Sequence, residues 1–137
     1  MSRNTMVRWT GILPLLLMSV FLMAFDKKGI NTEQGSYSID VQCAADPVMV
    51  GKNDMTVTIN DAKSRKPVER KLIMEAIPWM AAHEHGSSDI AVVTYLGKGR
   101  YRIEGINFSM PGDWEVYLKL QDGNKEDSAV FDVHVGR

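Results

Sequence analysis

The chain has little of what marks disulfide-rich or nucleic-acid-binding domains. Its 137 residues include one cysteine, Cys43, which cannot form an intrachain disulfide. No block of Lys and Arg is longer than the pair Lys27-Lys28, and the aromatic residues are scattered rather than grouped into a stacking surface. Nucleic-acid binding is therefore not expected, and a folded domain must be held together by its own hydrophobic core.

The common catalytic patterns are absent as well. No Ser/His/Asp or Cys/His set has the spacing of an activated nucleophile, and no glycine-rich phosphate loop follows a predicted strand. Several Asp residues fall singly in predicted turns. The sequence predicts a protein without enzymatic activity.

The N-terminus contains a long apolar run. Arg3 and Arg8 precede WTGILPLLLMSVFLMAF, residues 9–25, a pattern typical of an export signal or a membrane anchor. The run is near the short limit for crossing a bilayer, so cleavage and retention are both open. Residues 1–25 are predicted to form this apolar helix and residues 26–36 a polar linker. In either case the remaining domain, residues 37–137, is expected to lie outside the cytoplasm, in the periplasm or at the cell surface.

The remainder of the chain alternates between apolar and polar residues. In WEVYLKLQ, Trp114, Val116 and Leu118 alternate with more polar residues, as in an antiparallel strand with one buried face. Seven such strands, separated by turn sequences, are predicted at about residues 37–43, 54–60, 70–76, 90–95, 101–107, 114–121 and 127–135. This number and spacing predict an all-β fold, an immunoglobulin-like antiparallel β-sandwich.

One predicted loop, IPWMAAHEHGSSD at residues 77–89, combines Met80 with His83 and His85. In a seven-stranded sandwich the first, third and fifth connections lie at the same end, which brings this loop near Met110 in the fifth connection. In an extended His-Glu-His segment both imidazoles point the same way. These four residues are therefore candidate ligands of one metal ion.

Thioether and imidazole ligands together favour Cu(I), whereas zinc sites more often add thiolate or carboxylate ligands. Trp79 and Trp114 are expected to shield such an ion or to contact it through the ring face. Structural roles are open for the same residues. Met80 and Met110 also suit gaps in a core, and histidines in a polar loop are often merely exposed. Cys43 suits a small apolar position at a strand end, and a role as metal ligand or in a mixed disulfide is also open.

Other residues are assigned structural roles only. Met49, Met55 and Met74 are predicted to fill gaps in the core. His134 is predicted to face outward on the last strand, far from the candidate ligands, and Tyr101 is predicted to lock a strand corner.

Several segments together give a family resemblance. WMAAHEHGSSD, GKGRYRIEGINFSMPGDWEVYLKL and SAVFDVHV resemble the YtkA-like/FixH-like group of exported sandwich domains, over about residues 37–135. The resemblance implies an immunoglobulin-like sandwich behind an N-terminal membrane segment, and a link to copper handling or to the assembly of copper-containing respiratory oxidases. The chain departs from the family pattern at Ala81, where the family has a proline after the methionine. The positions that match the family's candidate ligands are Met80, His83, His85 and Met110.

Three functions follow as hypotheses. The first is an exported, non-catalytic copper-binding or copper-chaperone-like domain whose partners are the copper ion and a membrane respiratory complex or another copper protein. The second is a membrane-tethered assembly module that binds no metal, suggested by the apolar run and the linker. The third is a carrier for a small organic ligand, for which only Trp79 and Trp114 argue.

Overall fold

The computed structural model describes residues 29–137, so the predicted apolar helix at residues 1–25 lies outside the described residues. Apart from a 3-10 helix at Ala81–His83, the regular structure is entirely β. The described part of the chain has no helix of the length and apolarity that crossing a membrane requires. The strands are β1 (Ile30–Asn31), β2 (Tyr37–Cys43), β3 (Val48–Met49), β4 (Gly51–Asp61), β5 (Ile73–Met80), β6 (His85–Gly86), β7 (Val92–Gly97), β8 (Arg100–Phe108), β9 (Gly112–Asp122) and β10 (Lys125–Gly136).

The strands form two sheets of five. One has the order β1-β2-β4-β8-β7 and the other the order β3-β10-β9-β5-β6. The pairings are antiparallel except for the short parallel contact between β3 and β10. The seven predicted strands correspond to β2, β4, β5, β7, β8, β9 and β10. The prediction of an all-β fold is confirmed.

The strand boundaries shift by a few residues throughout, and the two differences that matter for the site and the linker are in β5 and β1. β5 begins and ends later than the predicted strand at residues 70–76 and continues through Pro78. On the side of β5 that faces away from β9, β6 pairs only with Trp79 and Met80. Pro78 therefore has no partner among the described strands on that side, where a missing N–H is tolerated. β1, at Ile30–Asn31, lies within the stretch predicted as a linker and pairs with β2.

The core lies between the two sheets and consists of the inward-facing residues of each strand. In β9, Trp114, Val116 and Leu118 are at most 1% exposed, as the alternation in the sequence predicts. Met55 and Met74 are also buried in this core, but Met49 is 38% exposed and does not fill it. The buried hydrophobic side chains of the described residues all fall between Tyr37 and Val135, so residues 29–137 contain a hydrophobic core of their own and form a folding unit.

The connections gather at two ends, as the strand order requires. Residues 44–50, 81–91 and 109–111 lie at one end, which we call the His/Met end. Residues 32–36, 62–72, 98–99 and 123–124 lie at the opposite end.

The opposite end is closed by tyrosine hydroxyls. The buried backbone N–H of Leu72 donates a 2.8 Å hydrogen bond to the hydroxyl of Tyr101. Tyr37 donates to the carboxylate of Asp122 at 2.9 Å, and the same carboxylate accepts hydrogen bonds from Arg70. The predicted locking role of Tyr101 is therefore confirmed, since its hydroxyl attaches the β4–β5 loop to β8.

Tyr101→Phe is expected to destabilise the fold by about 1–3 kcal/mol, because it leaves the buried N–H of Leu72 without an acceptor. Tyr117→Phe is the matched control, since that hydroxyl donates only to the surface carboxylate of Glu115, and it should change stability by less than about 0.5 kcal/mol. Urea denaturation of the two variants measures the difference. Equal stabilities would show that the Leu72 bond contributes nothing.

The ion pair at the opposite end gives a pH prediction. Hydrogen bonds from Arg70 and Tyr37 lower the pKa of Asp122 to about 2. Because this value lies below the unfolded-state pKa of about 3.9, the stabilisation is fully present above pH 4 and is lost as the pH falls towards 2. Asp122→Asn should therefore flatten the acid limb of the stability–pH curve, whereas Asp132→Asn, which removes an exposed carboxylate, should leave it steep. An unchanged acid limb in Asp122→Asn would contradict this assignment.

Candidate metal site

The candidate ligands lie on a tight hairpin at the His/Met end. β5 ends at Met80, the 3-10 helix follows, and Glu84 reverses the chain with a positive φ of 52°. β6 then folds back so that Met80 pairs with His85 and Trp79 pairs with Gly86. The hairpin thus places His85 beside the strand that carries Met80.

The predicted extended His-Glu-His conformation is wrong. His83 ends the 3-10 helix, and Glu84 adopts a left-handed conformation. The two imidazoles still lie near each other, with ring centroids 6.0 Å apart, because the chain turns between them. His83 is exposed and His85 is partly buried, so only His85 is enclosed by the fold.

The closest contact of the site joins His85 to Met110 across 25 residues of sequence. The Nε2 atom of His85 lies 3.3 Å from the Sδ atom of Met110. Met110 lies in the β8–β9 turn and packs against the core while remaining partly exposed. The predicted meeting of the third and fifth connections therefore occurs.

The ring of His85 is oriented by its second nitrogen. Its Nδ1 atom lies 3.3 Å from the carbonyl oxygen of Gly86. The neutral ring has one N–H, and both of its partners only accept: the carbonyl oxygen of Gly86 at Nδ1 and the thioether sulfur of Met110 at Nε2. In the tautomer that donates from Nδ1 to the carbonyl, the lone pair of Nε2 faces the sulfur of Met110. Two electron donors then face each other, an arrangement that suits a shared cation.

Trp114 connects this contact to the core. The side chain is 1% exposed, and its indole N–H donates a 3.0 Å hydrogen bond to the carbonyl of Met110. Its ring meets His85 edge-to-face at a centroid distance of 5.4 Å and Phe108 at 5.3 Å. Trp114 therefore positions both the imidazole and the backbone that carries the thioether.

Met80 lies on the core side of the same hairpin. It is 3% exposed, and a Cβ built at Gly112 would lie 2.6 Å from its terminal methyl. Met80 therefore reaches the start of β9, two residues after Met110. Glycine at position 112 leaves room for this methyl.

The remaining candidates do not join the site. Trp79 faces away from the core and is 37% exposed, so of the two tryptophans it is Trp114 that contacts His85 in the described residues. Cys43 lies at the end of β2 with an exposed side chain, and desolvation by neighbouring atoms together with the negative charge of Asp46 raises the pKa of its thiol. His134 pairs with Asp113 at 2.7 Å. It therefore lies at the His/Met end, not far from it as predicted, although on the outer face of the sheet.

Two glycines that sequence reasoning missed shape the site. A Cβ on Gly86 would lie 2.8 Å from the carbonyl oxygen of Pro78, so only glycine allows β6 to approach β5. Gly112 has a φ of 129° and makes room for Met80. Each lies within two residues of a predicted ligand, Gly86 after His85 and Gly112 after Met110, and this proximity was the available signal.

Conventional metal-ligand clusters are absent from residues 29–137. No group of three or more His, Cys, Asp or Glu side chains is placed to hold one ion there. A metal at the His/Met end would therefore need the thioether of Met110 in addition to imidazole.

Comparison with known proteins supplies the family. A family model for YtkA-like proteins matches residues 31–119. The chain belongs to the YtkA-like family. No curated protein and no solved structure shows significant similarity to it. The match covers the YtkA-like domain from β1 into β9, including the β5–β6 hairpin and Met110.

Gly86→Ala tests the hairpin. The added methyl group meets the backbone oxygen of Pro78, so we expect a loss of about 1–3 kcal/mol in stability and separation of His85 from Met110. Ser88→Ala, in the exposed loop that follows, is the control. Urea denaturation gives the first quantity, and the NMR shift of the Met110 methyl gives the second. A Met110 methyl shift identical in both variants would show that Gly86 does not hold His85 in place.

Proposed function

We propose that this YtkA-like domain binds a copper ion, as Cu(I), between His85 and Met110 at the His/Met end. The observation that supports the proposal best is the 3.3 Å separation of the His85 Nε2 and Met110 Sδ atoms. The contact of His85 Nδ1 with the carbonyl of Gly86 adds to it, because a ring that donates from Nδ1 presents the lone pair of Nε2.

The separation fits two ligands of one ion. Taking bonds of about 2.0 Å to nitrogen and about 2.3 Å to sulfur, as at zinc, two ligand atoms in tetrahedral coordination lie about 3.5 Å apart. The observed 3.3 Å is close to this value. The two side chains need little rearrangement to share an ion.

The chemistry of the donors selects the metal. A thioether is a soft ligand that needs no deprotonation, and together with imidazole it favours Cu(I) over calcium, magnesium or zinc. The absence of a carboxylate- or thiolate-rich cluster from the described residues agrees with this choice.

His83 and Met80 complete the proposed ligand set from opposite sides. His83 is exposed and would hold the ion from the solvent side, whereas Met80 is buried and would hold it from the core. An exposed imidazole at the mouth of the site provides a position where the ion is exchanged with another protein. The proposed activity is therefore binding and transfer of copper, without catalysis, in support of copper-containing oxidases or other copper proteins.

We also propose an immunoglobulin-like topology and an exported location. The order β2-β4-β8-β7 in one sheet and β10-β9-β5 in the other is that of a seven-stranded constant-type immunoglobulin domain. The apolar N-terminal run supports export or anchoring through an apolar helix, and a thioether site suits an oxidising exterior because it contains no thiolate.

A second candidate function is a membrane-tethered assembly module that binds no metal. The exposed apolar side chains on the outer face of β5 favour it, since Ile77 and Trp79 are each 37% exposed. Such groups are common in protein–protein contacts.

Cu(I) affinity distinguishes the two candidates. Under reducing, oxygen-free conditions with a chromophoric Cu(I) chelator as competitor, His85→Ala and Met110→Leu should each weaken binding at least about tenfold, or about 1.4 kcal/mol. The matched controls are His134→Ala and Met49→Leu, which remove the same side chains outside the site and should leave the affinity unchanged. Equal affinity in all five proteins would rule out the proposed site and favour the assembly module.

A further inference from the structure

Positive charge is concentrated at the end of the sandwich opposite the candidate metal site. The β4–β5 loop, residues 62–72, has five basic residues and Glu69 as its one acid. Lys98 in the β7–β8 turn and Arg100 at the start of β8 add two more basic residues. The whole chain, in contrast, has a net charge of -1. All seven side chains are exposed. We call this set the basic patch: Lys63, Arg65, Lys66, Arg70, Lys71, Lys98 and Arg100.

Backbone packing makes the loop and the turn one surface. A Cβ on Gly99 would lie 2.5 Å from the carbonyl oxygen of Ile59 and 3.1 Å from the backbone nitrogen of Val68, so the turn contacts the loop directly. The hydroxyl of Tyr95 on β7 also donates a hydrogen bond to the carbonyl of Glu69. The charges from these two segments therefore act together.

The patch is largely unneutralised. Within residues 29–137, Arg70 is the one member of the patch with a carboxylate partner, Asp122. The neighbouring carboxylate of Asp61 accepts hydrogen bonds from the backbone N–H groups of Lys63 and Ser64. Six cations thus face solvent without an ion pair.

Most of the other acids at this end lie away from the patch. Glu33 is in the β1–β2 loop, whose backbone bonds to Ser128 of β10, and Asp127 accepts N–H groups of Gln34 and Ser128. β1 and β7 are the opposite edges of their sheet. Glu69 is therefore the one acidic side chain in the segments that carry the patch, residues 62–72 and 98–100.

Apolar side chains flank the cations. Ile73, two residues after Lys71, is 63% exposed, and Leu96, two residues before Lys98, is 41% exposed. Surfaces that combine basic and apolar side chains suit the interface of an anionic bilayer, where cations meet headgroups and apolar groups enter below them.

We propose that the basic patch binds the headgroups of an anionic lipid bilayer. The chain itself supports this occupant, because the apolar run of residues 9–25 ends five positions before β1 and is followed by Lys27-Lys28. These few connecting residues span at most about 3.5 Å each. The domain therefore stays beside any membrane into which the apolar run is inserted. Nucleic acid is a poorer occupant, since the patch offers no aromatic stacking platform.

This contact orients the domain. With the basic patch on the lipid, the His/Met end points away from the bilayer, because the two ends terminate the same strands in opposite directions. The proposal is independent of copper binding, since it uses none of the candidate ligands.

Co-sedimentation with vesicles tests the proposal on residues 29–137, which contain their own core. The domain should bind vesicles of phosphatidylcholine with phosphatidylglycerol at low salt, should not bind phosphatidylcholine alone, and should be released at high salt. Lys63→Glu/Lys66→Glu should weaken the partition at least about tenfold. Lys52→Glu/Lys119→Glu changes the net charge equally outside the patch and should have little effect.

Three outcomes would overturn the proposal. These are equal binding to neutral vesicles, no binding to anionic vesicles, and equal loss in the two charge-reversal variants. Heparin is added as a soluble polyanion competitor, and binding to heparin as strong as to the vesicles would assign the patch to polyanions in general rather than to a lipid surface.

Discussion

The burial of Trp114 is the constraint on which the candidate site depends. Its ring occupies the core between the sheets, its indole N–H holds the carbonyl of Met110, and its edge contacts His85. A fully buried tryptophan has little freedom to move in a close-packed interior. One rigid side chain thus fixes the positions of both the turn that carries the Met110 thioether and the imidazole ring of His85. The site is a continuation of the core rather than a feature of two mobile loops.

Much of this architecture is readable from the sequence because it depends on local periodicity. The alternation around Trp114 correctly predicted which face of β9 is buried, and strand order alone brought Met110 to the loop containing His85. The conformation of the hairpin was not predictable, because it depends on a left-handed Glu84 and on the approach of Gly86 to Pro78. The predicted strand ended at residue 76, whereas β5 continues through Pro78, because β6 pairs only with the two residues that follow it.

The remaining errors arose from contacts between distant segments. The position of His134 depends on the register of β10 against β9, which sets it opposite Asp113. The full extent of the basic patch was not predictable, although five of its seven cations lie in the single stretch 63–71. Lys98 and Arg100 join them because the β7–β8 turn packs against Val68, about thirty residues earlier in the chain.

The two ends of this YtkA-like domain therefore have different chemistry on one scaffold. Soft donors lie at one end and unpaired cations at the other, separated by the length of the β-strands. Because both features are built on strand ends of the same packed core, their relative direction is fixed by the fold. Such a separation is needed in a domain that receives a metal ion at one end while the other end is bound to a lipid surface.

The central claim is that one nitrogen and one thioether sulfur are held ready to share a soft metal ion. X-ray absorption of the Cu(I)-loaded domain tests this most directly, because it identifies the atoms bound to the metal. The account predicts both nitrogen and sulfur neighbours, the latter at about 2.3 Å, and loss of a sulfur neighbour in Met110→Leu. A spectrum with only nitrogen or oxygen neighbours, unchanged in that variant, would contradict it.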